Sequence, residues 1–458
     1  MAEYTTTNPT TGRTDKEFTT LDSAQVEHVL DRSHAAFAEW RATAAKERAS
    51  ILERVADAYD DRSRELGELI AVEMGKPLQQ AIGEAELAGS IYRWYATHGP
   101  DLLQPEQLDP QGAQESLVQT EPIGPLVGVM PWNYPYYQVA RFAAPNLMAG
   151  NTVILKHAEI CAGSSEIMAQ ILHKAGVPRD AYANVFASHD QIADMIADPR
   201  VRGVSLTGSE KAGAAVAENA GKHLKKSVLE LGGSDPLIVL DDADLEQVAR
   251  TVATARLSNA GQACNSPKRI FVPAARREEF VAIVVESFED ATIGDPLDEE
   301  VDVGPLSSIG ARDGVVAQVE RAVEQGATLH TGGQALDRDG AFMQPAVLTG
   351  VTQDMDAYGE EIFGPVAVIH GVDSADEAVE LANDVDFGLS GSVWGRDLER
   401  AQEIADRLDV GMAYINEHGT TLAGLPFGGV KRSGFGRELG RWGMGEFVNV
   451  RLRRTSAA

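Results

Sequence analysis

Residues 201–233 read VRGVSLTGSEKAGAAVAENAGKHLKKSVLELGG. Residues 201–206 form a short apolar run, as a buried strand does. Residues 210–220 are rich in helix formers, and Gly221 stops them. Residues 228–231 are apolar again. Strand, helix and strand in this order make a βαβ unit, which sets two parallel strands in one sheet.

The same alternation spreads in both directions. Upstream, residues 125–130 and 152–155 read as strands, and 136–148 and 164–175 as helices. Downstream, strands at 237–240, 269–272, 366–369, 392–394 and 411–416 alternate with helices at 245–257, 277–288, 315–325, 375–382 and 398–408. The pattern predicts an α/β fold with two open parallel-sheet domains, meeting near Gly232-Gly233. Before them, residues 26–40, 47–59, 65–74 and 78–95 carry helical periodicity, residues 99–116 read as a linker, and 115–122 as a strand. The tail, 440–454, reads as a helix followed by a strand.

A chain of 458 residues, 43% hydrophobic, is globular and too long for one ordinary core. No apolar run of 18 residues occurs, and MAEYTTTNPTTGRTDKEF lacks the basic and apolar parts of a signal peptide. Two distant cysteines give neither a disulfide framework nor zinc spacing, so a cytoplasmic protein without a bound metal is expected. The net charge of −29 excludes nucleic acid and anionic membrane as natural partners. Only 11 lysines accompany 29 arginines, and the acidic excess suits a halophile's protein, kept soluble in concentrated salt.

Ligands of open α/β sheets bind beyond the carboxyl ends of the strands. Four polar stretches fall there: Pro131-Trp132-Asn133-Tyr134-Pro135, Lys156-His157-Ala158-Glu159, Thr207-Gly208-Ser209 and Gly232-Gly233. Neither G-x-G-x-x-G nor a P-loop follows any strand. Thr207-Gly208-Ser209 opens a helix, where backbone N–H groups suit a diphosphate, although Ser209 reads equally as a plain helix cap. Glu230 sits in an apolar strand, where burial raises a carboxyl's pKa toward that of a general base; an arginine partner is the alternative. Cys264 lies in NAGQACNSPKR (259–269), among polar neighbours and near Gly261, unlike Cys161. A reactive thiol and a small buried side chain both fit it.

At this point the segments PWNYP (131–135), KHAE (156–159), LTGS (206–209), LELGGSDP (229–236), GQAC (261–264), EEIFGPV (360–366) and FGGVKRSGFGRE (427–438) resemble, in this order, the NAD(P)-dependent aldehyde dehydrogenases. KHAE and the stretch from 227 to 245 resemble the branch that contains bacterial succinate-semialdehyde dehydrogenases. The resemblance implies a cofactor domain of residues 1–111 and 130–232, a catalytic domain of 233–439, and an oligomerisation arm of 112–129 and 440–458. It implies a homo-oligomer, dimer or tetramer, acting on a small aldehyde.

The same resemblance implies roles residue by residue. Cys264 is the nucleophile that forms a thiohemiacetal and, after hydride transfer, a thioester. Glu230 is the base that activates water, and the Asn133 amide with the Cys264 N–H holds the oxyanion. Lys156 and Glu159 bind the adenosine ribose. A carboxylate there favours NAD, although Lys156 leaves NADP possible. Trp132, Thr207, Gly208, Ser209 and Leu231 line the cofactor, Glu361 holds the nicotinamide ribose and Phe363 lies against the ring. Phe427 lines the substrate tunnel. Arg141, eight residues after Asn133, selects a substrate carboxylate, unless a nearby acid takes it, and Thr421 adds a hydroxyl. Some semialdehyde enzymes carry an arginine where this chain has Ser258, so a 2-oxoglutarate semialdehyde or a general aldehyde stays open.

Overall fold

The computed structural model describes residues 4–456; residues 1–3 and 457–458, the ends of the expected segments 1–111 and 440–458, lie outside the described residues. The fold is mixed α/β, built on two open sheets. The first has six strands in the order Gly434–Phe435, Lys226–Glu230, Gly203–Thr207, Pro125–Met130, Thr152–His157 and Tyr182–Asn184. All its pairs are parallel except the edge pair made by Gly434–Phe435. The second has seven strands in the order Thr328–Thr331, Ala346–Thr349, Val366–Val372, Arg269–Pro273, Pro236–Val239, Ser390–Trp394 and Met412–Ile415. Only its edge strand Thr328–Thr331 runs antiparallel.

Every residue of Thr152–His157 is buried, which is why that strand reads as a continuous apolar run and not an alternating one. Helix Pro135–Ala149 is buried along its whole length. It shares a core with the N-terminal helices, where Val55, Tyr59, Tyr92, Phe142 and Leu147 meet. Pro135 occupies its first turn, where a missing N–H costs nothing. Among the described residues no helix is long and apolar enough to cross a membrane.

Residues 125–130 belong to the six-stranded sheet. The expected arm segment 112–129 therefore contributes only Glu115–Pro122 to the small third sheet, between Val448–Thr455 and Glu106–Gln107. The hairpin Tyr4–Asn8 with Arg13–Phe18 has no apolar alternation, and only its Tyr4, Thr6 and Phe18 are buried. In the six-stranded sheet the chain moves outward from Pro125–Met130, then returns to its other side at Gly203–Thr207. The crevice beyond the carboxyl ends of those two strands is the switch point where such sheets hold ligands.

Candidate active site

Two sheets close one cavity. Trp132, Asn133, Thr207, Gly208, Ser209 and Leu231 come from the carboxyl ends of the six-stranded sheet. Cys264, just before strand Arg269–Pro273, and Glu361 with Phe363, just before Val366–Val372, come from the amino ends of the seven-stranded sheet. They enclose about 280 Å³, with Pro131, Gln138 and Gly232 completing the lining. Trp132 and Phe363 meet edge to face, ring centroids 5.8 Å apart.

The thiol sits on a strained loop. After helix Leu245–Leu257, Asn259, Ala260 and Gly261 take φ of 50°, 50° and 71°. L residues enter this left-handed region at roughly 1–2 kcal/mol each. Position 261 admits only glycine, since a Cβ there would lie 2.1 Å from the carbonyl oxygen of Gly364. Burial pushes the Cys264 thiol up to about 12, against the pull of Arg141 and Lys268. Cys161 is fully buried, and burial holds its thiol well above the ordinary value.

Asn133 is held at both ends. Its Nδ2 donates to the Gln262 carbonyl at 3.0 Å, which leaves the second amide hydrogen for a ligand oxygen. Its own carbonyl accepts from Asn259 Nδ2 and Lys76 Nζ, each at 2.9 Å. Lys76 is ion-paired with Glu84, both fully buried, and Glu84 also accepts the N–H groups of Tyr136 and Tyr137 at 2.9 and 3.3 Å.

Glu230 lies beside the cavity with neither carboxylate oxygen hydrogen-bonded among the described residues. Burial raises its pKa well above the ordinary carboxylate value, opposed by Arg141 and reinforced by Glu438. Gly428 leaves it room: a Cβ there would come within 2.7 Å of Glu230 Oε1.

Arg141 does not offer the open guanidinium that a substrate clamp requires. It is fully buried, ion-paired with Glu438, and donates to Tyr137 Oη and Thr207 Oγ1 at 3.2 Å each. Burial works against its charge, but Glu438, Tyr137, Glu230 and Cys264 together raise its pKa. The ring of Phe427 covers it, 4.4 Å away. Phe427 itself is buried and meets Tyr137 edge to face, and Thr421 lies beside the Tyr137 hydroxyl.

Lys156 and Glu159 form an ion pair at 2.5 Å. Burial disfavours the Glu159 charge, but Lys156, together with a backbone N–H and His189, holds the carboxyl below its usual value. Ser209 caps helix Glu210–Lys222, accepting the Ala212 N–H at 3.3 Å. The donor set fits a nicotinamide dinucleotide: aromatic walls at Trp132 and Phe363, a helix N-terminus at Gly208-Ser209, and the Glu361 carboxylate.

The sequence does not foresee Lys76, Glu84, Gln262, Lys268 and Glu438. Lys268 and Glu438 sit inside the motifs that carry Cys264 and Phe427, and lysine is scarce in this chain. Those are the only signals for them. Lys76 and Glu84 read as a helix stop and an ordinary helical acid, because the Asn133 carbonyl and the Tyr136 and Tyr137 N–H groups that they hold are distant in the chain.

The profile of the aldehyde dehydrogenase family matches residues 2–452. A succinate-semialdehyde dehydrogenase of Deinococcus radiodurans, designated for NADP(+), is 52% identical over 452 residues, 98% of this chain and 94% of that one. The succinate semialdehyde dehydrogenase Sad of Escherichia coli, designated for NAD(P)+, is 40% identical, covering 97% of this chain and 96% of that one. The crystal structure of succinic semialdehyde dehydrogenase from Streptococcus pyogenes with NADP+ superposes at a TM-score of 0.97, with 39% identity, over 99% of this chain and 100% of that one. The fold, the cavity and these relatives agree that the chain belongs to the aldehyde dehydrogenase family, whose members oxidise aldehydes to acids with NAD or NADP.

Proposed function

We propose that this chain oxidises a short aldehyde bearing a distal carboxylate, such as succinate semialdehyde, to the acid. One observation carries the assignment of roles: Cys264 and Asn133 line one cavity, and Glu230, without a hydrogen-bond partner among the described residues, is buried beside it. Glu230 first takes the proton of the Cys264 thiol and later gives it up to solvent; the thiolate attacks the aldehyde carbon, forming a C–S bond as the C=O π bond breaks, and the carbonyl oxygen becomes an oxyanion held by the free Asn133 amide hydrogen and the Cys264 N–H. The bound nicotinamide cofactor supplies the hydride acceptor that leaves the acyl group on Cys264 as a thioester. Glu230 takes a proton from water, which attacks the thioester; the acid leaves and the thiol is restored. Trp132, Leu231 and Phe363 wall the cofactor, Thr207, Gly208 and Ser209 face its diphosphate, and Glu361 takes the nicotinamide ribose.

The Deinococcus and Escherichia relatives support the substrate class by their names. With Arg141 held by Glu438, the substrate carboxylate meets hydroxyls instead. Tyr137 accepts from Arg141, so its own O–H is free to donate, and Thr421 stands beside it. Arg141 supplies background positive charge behind Phe427. Lys156 neutralises Glu159, so a 2′-phosphate is tolerated and NADP is used as well as NAD. The six-stranded region acts as the cofactor domain, the seven-stranded region as the catalytic domain, and Val448–Thr455 with Glu115–Pro122 as the arm of a homo-oligomer. Val450 and Leu452 on that arm are exposed in one chain. The enzyme is cytoplasmic, and its charge of −29 adapts it to concentrated salt.

Initial rates with succinate semialdehyde, 2-oxoglutarate semialdehyde and a neutral aldehyde of equal length test the substrate, in wild type, Tyr137→Phe and Arg141→Ala. Semialdehydes are expected to be faster, with Tyr137→Phe raising KM for them alone. An equally fast neutral aldehyde would reduce the assignment to a general aldehyde dehydrogenase.

A further inference from the structure

Lys268 lies four residues after Cys264 and is almost fully buried. Its Nζ donates to the carbonyl oxygens of Ala263 at 2.9 Å and Cys264 at 2.7 Å, and is ion-paired with Glu361 Oε1 at 3.1 Å. An ammonium has three N–H donors: the two carbonyls take two of them, and the Glu361 carboxylate lies within ion-pair distance of the same nitrogen. The first acceptor matters most. Ala263 O and the Cys264 N–H belong to one peptide unit, which is planar and trans, so its C=O and N–H point in opposite directions. A group that grips the oxygen therefore aims the hydrogen. Among the described residues the Cys264 N–H has no acceptor of its own, and besides Lys268 only the Ser266 N–H, at the longer distance of 3.4 Å, reaches the Ala263 oxygen.

The second acceptor fixes the next peptide, so both peptide units flanking the Cys264 Cα are tied to one nitrogen. The third tie leads to the segment before the neighbouring strand Val366–Val372. Glu361 lines the cavity and also accepts the Gly233 N–H at 3.1 Å, where the chain passes between the two sheets. We propose that Lys268 is a positioning residue: it aims the Cys264 N–H at the oxyanion by holding the far end of the same peptide, and it locks that peptide to Glu361 on the cofactor side. The proposal rests on the assignment of Cys264 as nucleophile made above.

Lys268→Met removes the donors and keeps the length of the side chain. Two reactions of the same thiol separate positioning from charge. Aldehyde oxidation passes through an oxyanion, whereas alkylation by iodoacetamide does not. The variant is expected to lose about 10–100-fold in kcat, the scale of a misplaced or missing oxyanion donor, with a far smaller loss in alkylation rate at the same pH. Equal losses in both reactions would mean that Lys268 acts only on thiol ionisation, and a folded variant with unchanged kcat would remove any role; either overturns the proposal. Should Lys268→Met fail to fold, Lys268→Arg keeps the charge, but its flat fork cannot meet the same three acceptors, so kcat is expected to fall by about tenfold or more. Wild-type turnover in that variant would equally overturn it. Cys264→Ser is measured alongside. If it still oxidises aldehydes, the nucleophile assignment fails, whatever Lys268 does.

Discussion

The two sheets face one cavity with opposite ends. The six-stranded sheet presents carboxyl ends, where turns such as Thr207-Gly208-Ser209 lead directly into helices. The seven-stranded sheet presents amino ends, where the irregular loop at 258–268 and the segment around Glu361 approach with no more than a single helical turn beside each, Ser258–Gly261 and Asp356–Gly359. Helix N-termini offer N–H groups and partial positive charge as part of the fold, so they suit a diphosphate with little extra machinery. A strained loop has no such support. Its geometry comes from side chains: Asn259, Gln262 and Lys268 inside it, and Lys76 reaching from the N-terminal helices.

This difference is breakable first at the thiol. Cys264→Ser is expected to lower turnover about 10⁴-fold or more, as removal of a nucleophile does elsewhere, while cofactor binding by fluorescence is unchanged because no residue assigned to the cofactor is altered. Iodoacetamide followed by peptide mapping is expected to label Cys264 and leave Cys161 unmodified.

Next in size is Glu230→Gln, at about 10²–10⁴-fold in kcat for loss of a general base. The sign of the pH dependence follows from burial. The base is the ionised form, and its pKa is raised, so ionisation comes at higher pH than for an ordinary carboxyl. Wild-type kcat therefore climbs with pH beyond the ordinary carboxylate range, and Glu230→Gln lacks that limb. A profile already flat there would exclude Glu230 as the titrating base.

Lys76→Met tests the support that crosses from the helical layer. It leaves Glu84 as a buried unpaired charge, and about 3–5 kcal/mol of stability should be lost in denaturant titration. Adding Glu84→Gln removes that charge and should recover most of it. Similar stability of the single and double variants would show that the pair is not the anchor of the Asn133 turn.

The same contrast explains what was legible in the sequence. The alternation of apolar runs and helices places most of the parallel strands of both sheets, because those strands are apolar runs, but it misses Tyr182–Asn184 and Ala346–Thr349. Asn133, Thr207, Gly208 and Ser209 are found from position alone, being the residues just past strand ends. Cys264 and Glu361 need the family resemblance, because nothing local marks the amino end of a strand as a site. Arg141 shows the limit in the other direction. Its spacing from Asn133 places it correctly near the cavity, but its partner Glu438 is almost 300 positions away, and no periodicity links them. The antiparallel edge strands Thr328–Thr331 and Gly434–Phe435 are short and polar or glycine-rich, so they carry no strand signal.

The smallest expected effect asks whether the carboxyl edge really needs no extra machinery. Ser209 already caps its helix, so Ser209→Ala should cost about 1 kcal/mol in stability through the cap alone. If the backbone N–H groups do the binding, KM for the cofactor stays near wild type in that variant. Ser209→Asp keeps a capping oxygen but places a negative charge against the diphosphate. Stability should then be retained while cofactor KM rises, and the rise should shrink as salt screens the repulsion. A large KM increase in Ser209→Ala would instead mean that the hydroxyl contacts the cofactor directly, so that this edge too depends on a side chain to hold its ligand.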